Sequence, residues 1–508
     1  MGSVPAFELE RASIGDEGLD ICRMINGLWQ RADVSAAQSD IVTASDIMDK
    51  TSLLGFNTWD MADHYGDAEL IVGQHSSTHA GTKKVAFTKW CPQETGDISY
   101  ETAEAAVNLA LKRMRSDRID LMQYHIWDYA DDTYLHNLHH LRTLKAEGKI
   151  GLIGLTNTDA AHLQLLLDSG FPIATNQVPT NVIDRRLTKG SLNDLCVERN
   201  VGILAYGTLL GGFISERWLG EPEPARLEDL NWSLRKYLRF IHAAGGWDVF
   251  QGVLQALHIV AKRHHVDIPA IATRYVLDIP SVKAVIVGSR LSADSERYIE
   301  RNMKVFQVRL TEEDLAIIHK AQEPLRDIPG DCGDEYRRAP FLTTTGDTSQ
   351  HIKPLKNLDG VREAIAAGKR VEVSSGSKWE PIAGYCRAVR TGNLIRISGT
   401  TANSPFPTIL PVIGGTSARS QTVHILDIIT SALKALDSSL SDVVRTRIMV
   451  RDASLCEEVS RAHGWAFHCA GVLPANTLVT AGLIGDEMLV EIEAEAEVGT
   501  STPGVFKI

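Results

Sequence analysis

Lys84-Val85-Ala86-Phe87-Thr88-Lys89-Trp90, followed by Glu101 to Met114 and then by Ile119-Asp120-Leu121-Met122-Gln123-Tyr124-His125, reads as a short apolar run, a stretch with apolar residues at helical spacing, and a second short run. That is a strand, a helix and a strand. The same alternation continues on both sides, at intervals of roughly 25 to 35 residues through the first 300 positions. Further strands are predicted at Cys22 to Trp29, Phe56 to Met61, Lys149 to Asn157, Ile173 to Val178, Val201 to Tyr206 and Val282 to Gly288, which with the two quoted makes eight. A second helix is predicted from Thr133 to Glu147, closed by Gly148. Eight strands alternating with helices are what an α/β fold of the (β/α)8 TIM barrel type requires, and such a barrel carries its chemistry at the C-terminal ends of its strands.

The chain has 508 residues, and at about 100 to 200 residues per domain more than one folded unit is expected. Between the seventh and eighth strands Leu230 to Ile259, rich in Trp, Phe and Leu, is predicted to add helical structure over one end of the barrel. Thr311-Glu312-Glu313-Asp314 reads as a helix start. Pro324, Pro329, Gly330, Gly333, Pro340, Gly346 and Pro354 then break the pattern and mark a boundary. The expected division is a barrel over residues 1–323, a linker or tail over 324–365 and a second unit over 366–508. From about Val371 that unit reads strand, strand, helix, strand, helix, strand, strand, an α+β order. Its strands are predicted at Ile382 to Arg390, Leu394 to Gly399, Val443 to Val450, Thr477 to Leu483 and Met488 to Glu497, and its helices at Ser420 to Leu436 and Ser454 to His468. The last strand alternates Glu491, Glu493 and Glu495 against Val490, Ile492, Ala494 and Ala496, so one of its faces is acidic.

Composition bounds the function. With 44% hydrophobic and 23% charged residues, 40 Gly and 18 Pro, the chain is an ordinary globular one. The net charge is -12, and residues 366–508 hold 13 Lys+Arg against 14 Asp+Glu, so no nucleic-acid partner is expected. No apolar run approaches the roughly 20 residues that cross a bilayer, and no membrane partner is expected. The N-terminus lacks a secretory apolar stretch, and Ala6 stands where a myristoylation signal wants Ser or Thr. The seven cysteines are scattered without a CxxC pair, which fits a reducing, cytoplasmic setting and no metal cluster. His136, His139 and His140 read as the polar face of a helix rather than metal ligands, and Cys91 as a buried, inert thiol.

Polar residues stand at the ends of three successive strands: Asp60-Met61-Ala62-Asp63-His64-Tyr65-Gly66, Thr88-Lys89-Trp90 and Gln123-Tyr124-His125. Any one of them alone would pass for a solvated loop residue, but together they gather an Asp, a Tyr, a Lys and a His at one barrel mouth. Asp60, Tyr65, Lys89 and His125, in this order, resemble the catalytic tetrad of the aldo-keto reductases. Leu111-Lys112-Arg113-Met114, Gly148-Lys149-Ile150, Gly154-Leu155-Thr156-Asn157, Asn176-Gln177, Ala205-Tyr206-Gly207 and Val285 to Arg290 extend the likeness over nearly all of residues 15 to 320. Reduction of a carbonyl needs an acid beside the hydride donor. A free Tyr hydroxyl has a pKa of about 10, and a lysine cation nearby is expected to lower it. On this reading Tyr65 gives the proton, Lys89 tunes it, Asp60 holds Lys89, and His125 donates to the substrate oxygen or to Tyr65.

The resemblance further implies NADP(H) as cofactor and a small-molecule carbonyl as substrate. Thr156, Asn157 and Gln177 would meet the nicotinamide carboxamide, and Tyr206, beside Gly207, would stack on the ring. Gly288, Ser289, Arg290 and Asn302 would serve the phosphate and adenine end, with either Arg290 or Arg297 on the 2'-phosphate.

Gly384 to Val389, Leu394 to Gly399, Ser441 to Val444, Pro474-Ala475-Asn476 and Val490 to Ala494 resemble the Rid (YjgF-like) family over about residues 380 to 498. This implies a chorismate-mutase-like fold, trimers with sites between subunits, and hydrolysis of imines or enamines. The family's carboxylate-holding Arg is Asn476 here, and a neutral amide cannot make that bidentate grip. Tyr385, Ser398, Asn476 and Glu491 remain as candidates for a different imine. The plainer reading makes this unit an assembly module that brings three barrels together. As a whole the chain reads as an NADP-dependent reductase of an aldehyde or ketone. The alternatives are a non-catalytic dinucleotide sensor or scaffold, and a chain whose main activity is imine or enamine hydrolysis in the C-terminal unit.

Overall fold

The computed structural model describes residues 9–32, 39–92, 96–292, 295–337 and 358–499. An antiparallel hairpin, β1 (Arg11–Ile14) and β2 (Leu19–Cys22), comes first. It turns at Gly15 and Gly18, both at positive φ, where a side chain would be strained. The strand expected from Cys22 to Trp29 is therefore split. β3 (Met24–Gly27) begins after Arg23, whose guanidinium leaves the ladder to donate to the carbonyls of Leu277 and Val282.

β3 opens a closed barrel of eight parallel strands, continued by β4 (Thr58–Asp60), β5 (Val85–Trp90), β6 (Ile119–His125), β7 (Ile150–Thr156), β8 (Ile173–Pro179), β9 (Gly202–Tyr206) and β10 (Val282–Gly288). β10 pairs with both β9 and β3 and completes the ring. β5, β7 and β8 are buried at every residue, because helices cover the outside and side chains fill the inside. Val85, Phe87, Leu121, Leu152, Leu204 and Ala284 form the inner plug, and Ile14 and Ile21 of the hairpin close its floor. The register aligns Lys89 with Gln123, His125 with Thr156, and Thr156 with Gln177, so the polar strand ends share one rim.

The long segment after β9 forms helices Trp232–Ala243 and Trp247–His264. They are separated at Gly245 and Gly246, both at positive φ. Helix Glu312–Gln322 starts with the expected capping box between Thr311 and Asp314. The chain after it folds back over the barrel: Cys332, Glu335 and Tyr336 are buried, and Arg186 pairs with both Asp184 and Glu335 at 2.7 Å. Residues 338–357 of the expected linker lie outside the described residues.

The C-terminal unit is a six-stranded sheet in the order β11 (Val371–Val373), β12 (Ala388–Thr391), β13 (Leu394–Thr401), β16 (Val490–Glu497), β14 (Val443–Val450), β15 (Ala475–Thr480). Helices Ala418–Ala435 and Cys456–Cys469 accompany it. The strand expected to begin at Ile382 does not begin there: Trp379–Ala383 is a helical turn ended by Gly384 at φ +69, and the strand starts at Ala388. β16 alternates as its sequence predicts, with Val490, Ile492, Ala494 and Ala496 buried and the glutamates outward.

Helix Ala418–Ala435 lies against barrel helix Ala160–Asp168, and Phe406 packs on His136 and His139, which gives those two histidines a packing role. Ser420 donates to Asp168 at 2.7 Å, and Lys434 pairs with Asp128 at 2.7 Å. At the centre the imidazole of His162 lies between Asp159 (2.8 Å) and Asp427 (3.1 Å), stacked on Tyr129. Burial alone would keep this imidazole neutral, but the two carboxylates hold its pKa up at about 9. A histidine raised in this way stabilises docking fully below its unfolded pKa of about 6.5 and loses that contribution as pH rises through about 9. Amide hydrogen exchange, corrected for its intrinsic pH dependence, should therefore show helices 160–168 and 418–435 opening faster at pH 10 than at pH 7. Equal opening at both would show that the imidazolium carries no docking energy.

Candidate active site

β4 and β5 are adjacent parallel strands, and their C-terminal ends put Asp60 and Lys89 side by side. Lys89 Nζ donates to Asp60 Oδ2 at 2.5 Å and to the Met61 carbonyl at 2.7 Å, with both side chains almost fully buried. The other carboxylate oxygen accepts the amides of Gln123 and Gln177, each at 2.9 Å. Both carboxylate oxygens of Asp60 are thus engaged within the protein. Lys89 also lies 4.9 Å from the centre of the Tyr65 ring.

The expectation that Lys89 lowers the Tyr65 pKa is not met. Loss of solvent pushes the phenol well above its ordinary value of 10.0, and Asp60, Cys91 and Tyr336 push the same way. The lysine is held against Asp60 and under the face of the ring, and burial of the phenol outweighs its charge. Tyr65 is consequently a protonated phenol throughout the neutral range, which is the form an acid must have.

His125, at the end of β6, is buried, and neither ring nitrogen has a hydrogen-bond partner. Burial, followed by the charges of Arg337, His64 and Lys236, pushes its pKa well below 6.5. It is a neutral imidazole with one N–H to give. Asp60, Tyr65, Lys89 and His125 line one cavity of about 360 Å³, together with Thr156, Asn157, Gln177, Tyr206, Gly207, Gly288, Ser289, Arg290 and Asn302. The residues expected on both the catalytic and the cofactor sides therefore meet at one site. The Arg297 side chain lies outside the described residues. Cys91 also lines the cavity, and burial pushes its thiol well above 9.0, as expected of an inert thiol.

Buried polar groups without partners are rare in folded proteins unless a ligand or water meets them, and the bare His125 imidazole is one such group. Ser289, Arg290 and Asn302 line the same cavity. Gly207 keeps the wall open, because a Cβ there would meet the Tyr237 hydroxyl at 2.5 Å. Asn157, at φ +57, has its side-chain oxygen fixed by the Tyr206 hydroxyl at 2.8 Å. Gln177 commits its NH2 group to Asp60 and Gln123, and the Thr156 hydroxyl donates to the Gln177 carbonyl.

Several residues of the site carry no signal that sequence reasoning assigns. Tyr336 enters from the tail, lies edge-on to His125 at 5.4 Å, and accepts from Lys236 Nζ at 2.6 Å. Arg337 donates to the Asn157 carbonyl at 2.6 Å. Trp29, Gln30 and Trp127 line the cavity as well. No spacing rule ties Tyr336 to His125, 211 positions earlier. Gln123 does carry a signal: it lies two residues before His125 and therefore on the same face of β6.

In the C-terminal unit Glu491 lies against Gly399, where a Cβ would strike its carboxylate, while the Ser398 hydroxyl donates to the Cys386 carbonyl and Arg387 donates to the carbonyls of Ser398 and Gly399. Asn476 stands elsewhere. It is on β15, donating to Thr446 at 2.9 Å, two strands from Glu491 and offset along the sheet. At standard strand spacing that separates them by about 14 Å. Tyr385 is partly exposed beyond the 379–383 turn. A single chain thus does not join these four residues into one site.

Fold and comparison agree on the class, an oxidoreductase built on a (β/α)8 barrel. The aldo/keto reductase family model matches residues 23–323, more than half of the chain, and the chain belongs to that family. The model for Endoribonuclease L-PSP, the Rid family, matches residues 376–498, so the chain fuses the two. Aldo-keto reductase str7 of Strobilurus tenacellus is 26% identical over 292 residues, covering 56% of this chain and 82% of that protein. The NADH-specific methylglyoxal reductase of Escherichia coli K12 is 23% identical over 343 residues, covering 62% and 99%. A crystal structure of a thermostable aldo-keto reductase with the inhibitor epalrestat aligns at 19% identity and a TM-score of 0.48, covering 62% of this chain and all of that one. Among the described residues no helix is long and apolar enough to cross a membrane.

Proposed function

We propose that this protein reduces an aldehyde or ketone with NADPH. The observation that carries the reading is the unpartnered, buried His125 imidazole facing the same cavity as the protonated Tyr65 and the Lys89–Asp60 pair. A bound reduced nicotinamide supplies hydride to the carbonyl carbon. As charge develops on the carbonyl oxygen, the Tyr65 hydroxyl gives its proton to that oxygen and His125 donates a hydrogen bond that orients it. Lys89 keeps Tyr65 in place through its ring contact, and Asp60 keeps Lys89 in place. Thr156, Asn157, Gln177, Tyr206 and Gly207 receive the nicotinamide.

The preference for NADPH rests on Arg290, an exposed residue that lines the cavity with Ser289 and Asn302. Arg301 lines the cavity too but is paired with Asp267 at 2.9 Å. The test is oxidation of NADPH and of NADH with a reactive aromatic aldehyde. Turnover favouring NADPH is expected, and binding without turnover would turn the reading toward a sensor. Arg290→Ala should raise KM for NADPH about tenfold or more, the usual worth of a hydrogen bond to a charged group, while KM for NADH stays level. An equal change for both would remove the 2'-phosphate assignment.

For the C-terminal unit the reading is assembly as a trimer. Helices cover one face of its sheet, while the other presents Arg396, Arg445, Arg447 and the β16 glutamates, with Trp379, Ile382 and Ile484 exposed nearby. Light scattering on the intact chain, 55.7 kDa as a monomer, should report three copies. The dispersal of Tyr385, Ser398, Asn476 and Glu491 makes imine hydrolysis the second reading, since only a neighbouring copy would complete that site. The seven free thiols support a cytoplasmic setting.

A further inference from the structure

The cofactor side of the barrel reaches the C-terminal unit through a short chain of contacts. Thr156 and Asn157, at the end of β7, are followed by Thr158 and Asp159, and this turn is held from several directions. Arg337 takes the Asn157 carbonyl at 2.6 Å, the Tyr206 hydroxyl takes its side chain, and Asn176 bonds both the amide and the carbonyl of Thr158. Asp159 donates its backbone amide to the Tyr129 hydroxyl at 3.1 Å and caps helix Ala160–Asp168 through the His162 amide at 2.8 Å. Both of its carboxylate oxygens also lie within 3.0 Å of His162 Nδ1. On the other side of that ring, Nε2 meets Asp427 of helix Ala418–Ala435 at 3.1 and 3.2 Å. The ring lies flat on Tyr129, with centroids 3.4 Å apart, and Arg337 covers Tyr129 at 4.4 Å.

We propose that Asp427 is a positioning residue for the reductase: through His162 and Asp159 it fixes the Thr156–Asp159 turn, so that the C-terminal unit completes the cofactor site of the barrel. The inference rests on the reading that this turn receives the nicotinamide. His162 and Asp159 are buried and Asp427 is 16% exposed, and taking such ions out of water costs several kcal/mol, so the cluster adds little net stability over apolar packing; what it fixes is geometry. Geometry is what this turn needs, because Asn157 is a non-glycine residue at φ +57, a conformation that persists only where its surroundings impose it. The elevated His162 pKa agrees with an imidazolium bound on both sides. Without Asp427 the ring would keep Asp159 as its carboxylate partner in this cluster but lose the ion pair that ties it to helix Ala418–Ala435.

The test uses the intact chain and measures dinucleotide binding by quenching of tryptophan fluorescence, with Trp29 and Trp127 in the cavity wall. Asp427→Asn keeps the shape and removes the charge. It should weaken dinucleotide binding about fivefold or more, the lower range of energetic coupling between sites, and the kinetic loss should fall on cofactor KM rather than on kcat. Asp427→Glu, which keeps a carboxylate, should recover part of the affinity. Ser420→Ala removes a different contact between the same two helices, the bond to Asp168, and should leave affinity unchanged. Equal affinity in Asp427→Asn and the wild type would overturn the proposal, as would a loss of the same size in Ser420→Ala, which would reduce it to general docking. Failure of the wild type itself to bind dinucleotide would instead remove the functional reading, and this inference with it.

Discussion

Tyr65→Phe is expected to lower kcat for carbonyl reduction by about 10²- to 10⁴-fold, the contribution a positioned general acid makes, while dinucleotide binding persists. The substitution removes one oxygen. The ring that packs 4.9 Å from Lys89 Nζ stays, and so do the Lys89–Asp60 pair and the cavity wall. The loss should therefore appear in kcat, measured at saturating cofactor and aldehyde, and not in the fluorescence titration of the cofactor. A second expectation goes with it. Because desolvation and the neighbouring Asp60 push the phenol well above 10.0, the wild-type rate should stay flat between about pH 6 and 9. His125 does not bend that profile either, since burial keeps it neutral across the same range. A variant that kept most of its rate would transfer the acid role to another proton-bearing group of the cavity wall, first of all His125.

Much of this site is legible in the sequence, and the reason is local. In a parallel barrel the strand ends lie on one rim, so a polar residue closing an apolar run marks the rim directly, as Asp60, Lys89 and His125 do. The limits of β6 and β10 are legible as well, because the mostly apolar runs at 119–125 and 282–288 coincide with the strands. The start of the first barrel strand is not, because the apolar run continues across Arg23, where the chain leaves the hairpin and enters the barrel. Ile382 misleads because its apolarity comes with 70% exposure, a property that no pattern along the chain reveals. What stays invisible in the site arrives from far along the sequence. Tyr336 and Arg337 meet the ends of β6 and β7, and Lys236 meets Tyr336, through tertiary packing, and neither period nor spacing connects them. The direction of the Tyr65 shift is hidden for a related reason. A spacing rule can put a lysine beside a tyrosine, but it does not show how deeply the phenol is buried or that Asp60 lies close by, and these set the direction here.

Lys89→Met tests that last point by separating what the lysine does for the fold from what it does for the chemistry. Lys89 and Asp60 are each about 3% exposed, and the ammonium serves both Asp60 and the Met61 carbonyl. Removing one partner of a buried ion pair leaves an uncompensated charge and costs about 3 to 5 kcal/mol. Gln123 and Gln177 still donate to Asp60, which places the expected loss at the lower end, with a fall in melting temperature on the order of 10 °C. Asp60→Asn combined with Lys89→Met removes both charges together, and replacing both partners of such a pair is often close to neutral. The double variant should therefore melt several degrees above Lys89→Met alone. Its reduction rate should nevertheless stay low, because Tyr65 has lost the group that packs beneath its ring. If the double variant recovered activity along with stability, Lys89 would be a structural residue only and the proton transfer would rest on Tyr65 and His125. If it recovered neither, Asp60 would have a part in the chemistry beyond holding Lys89.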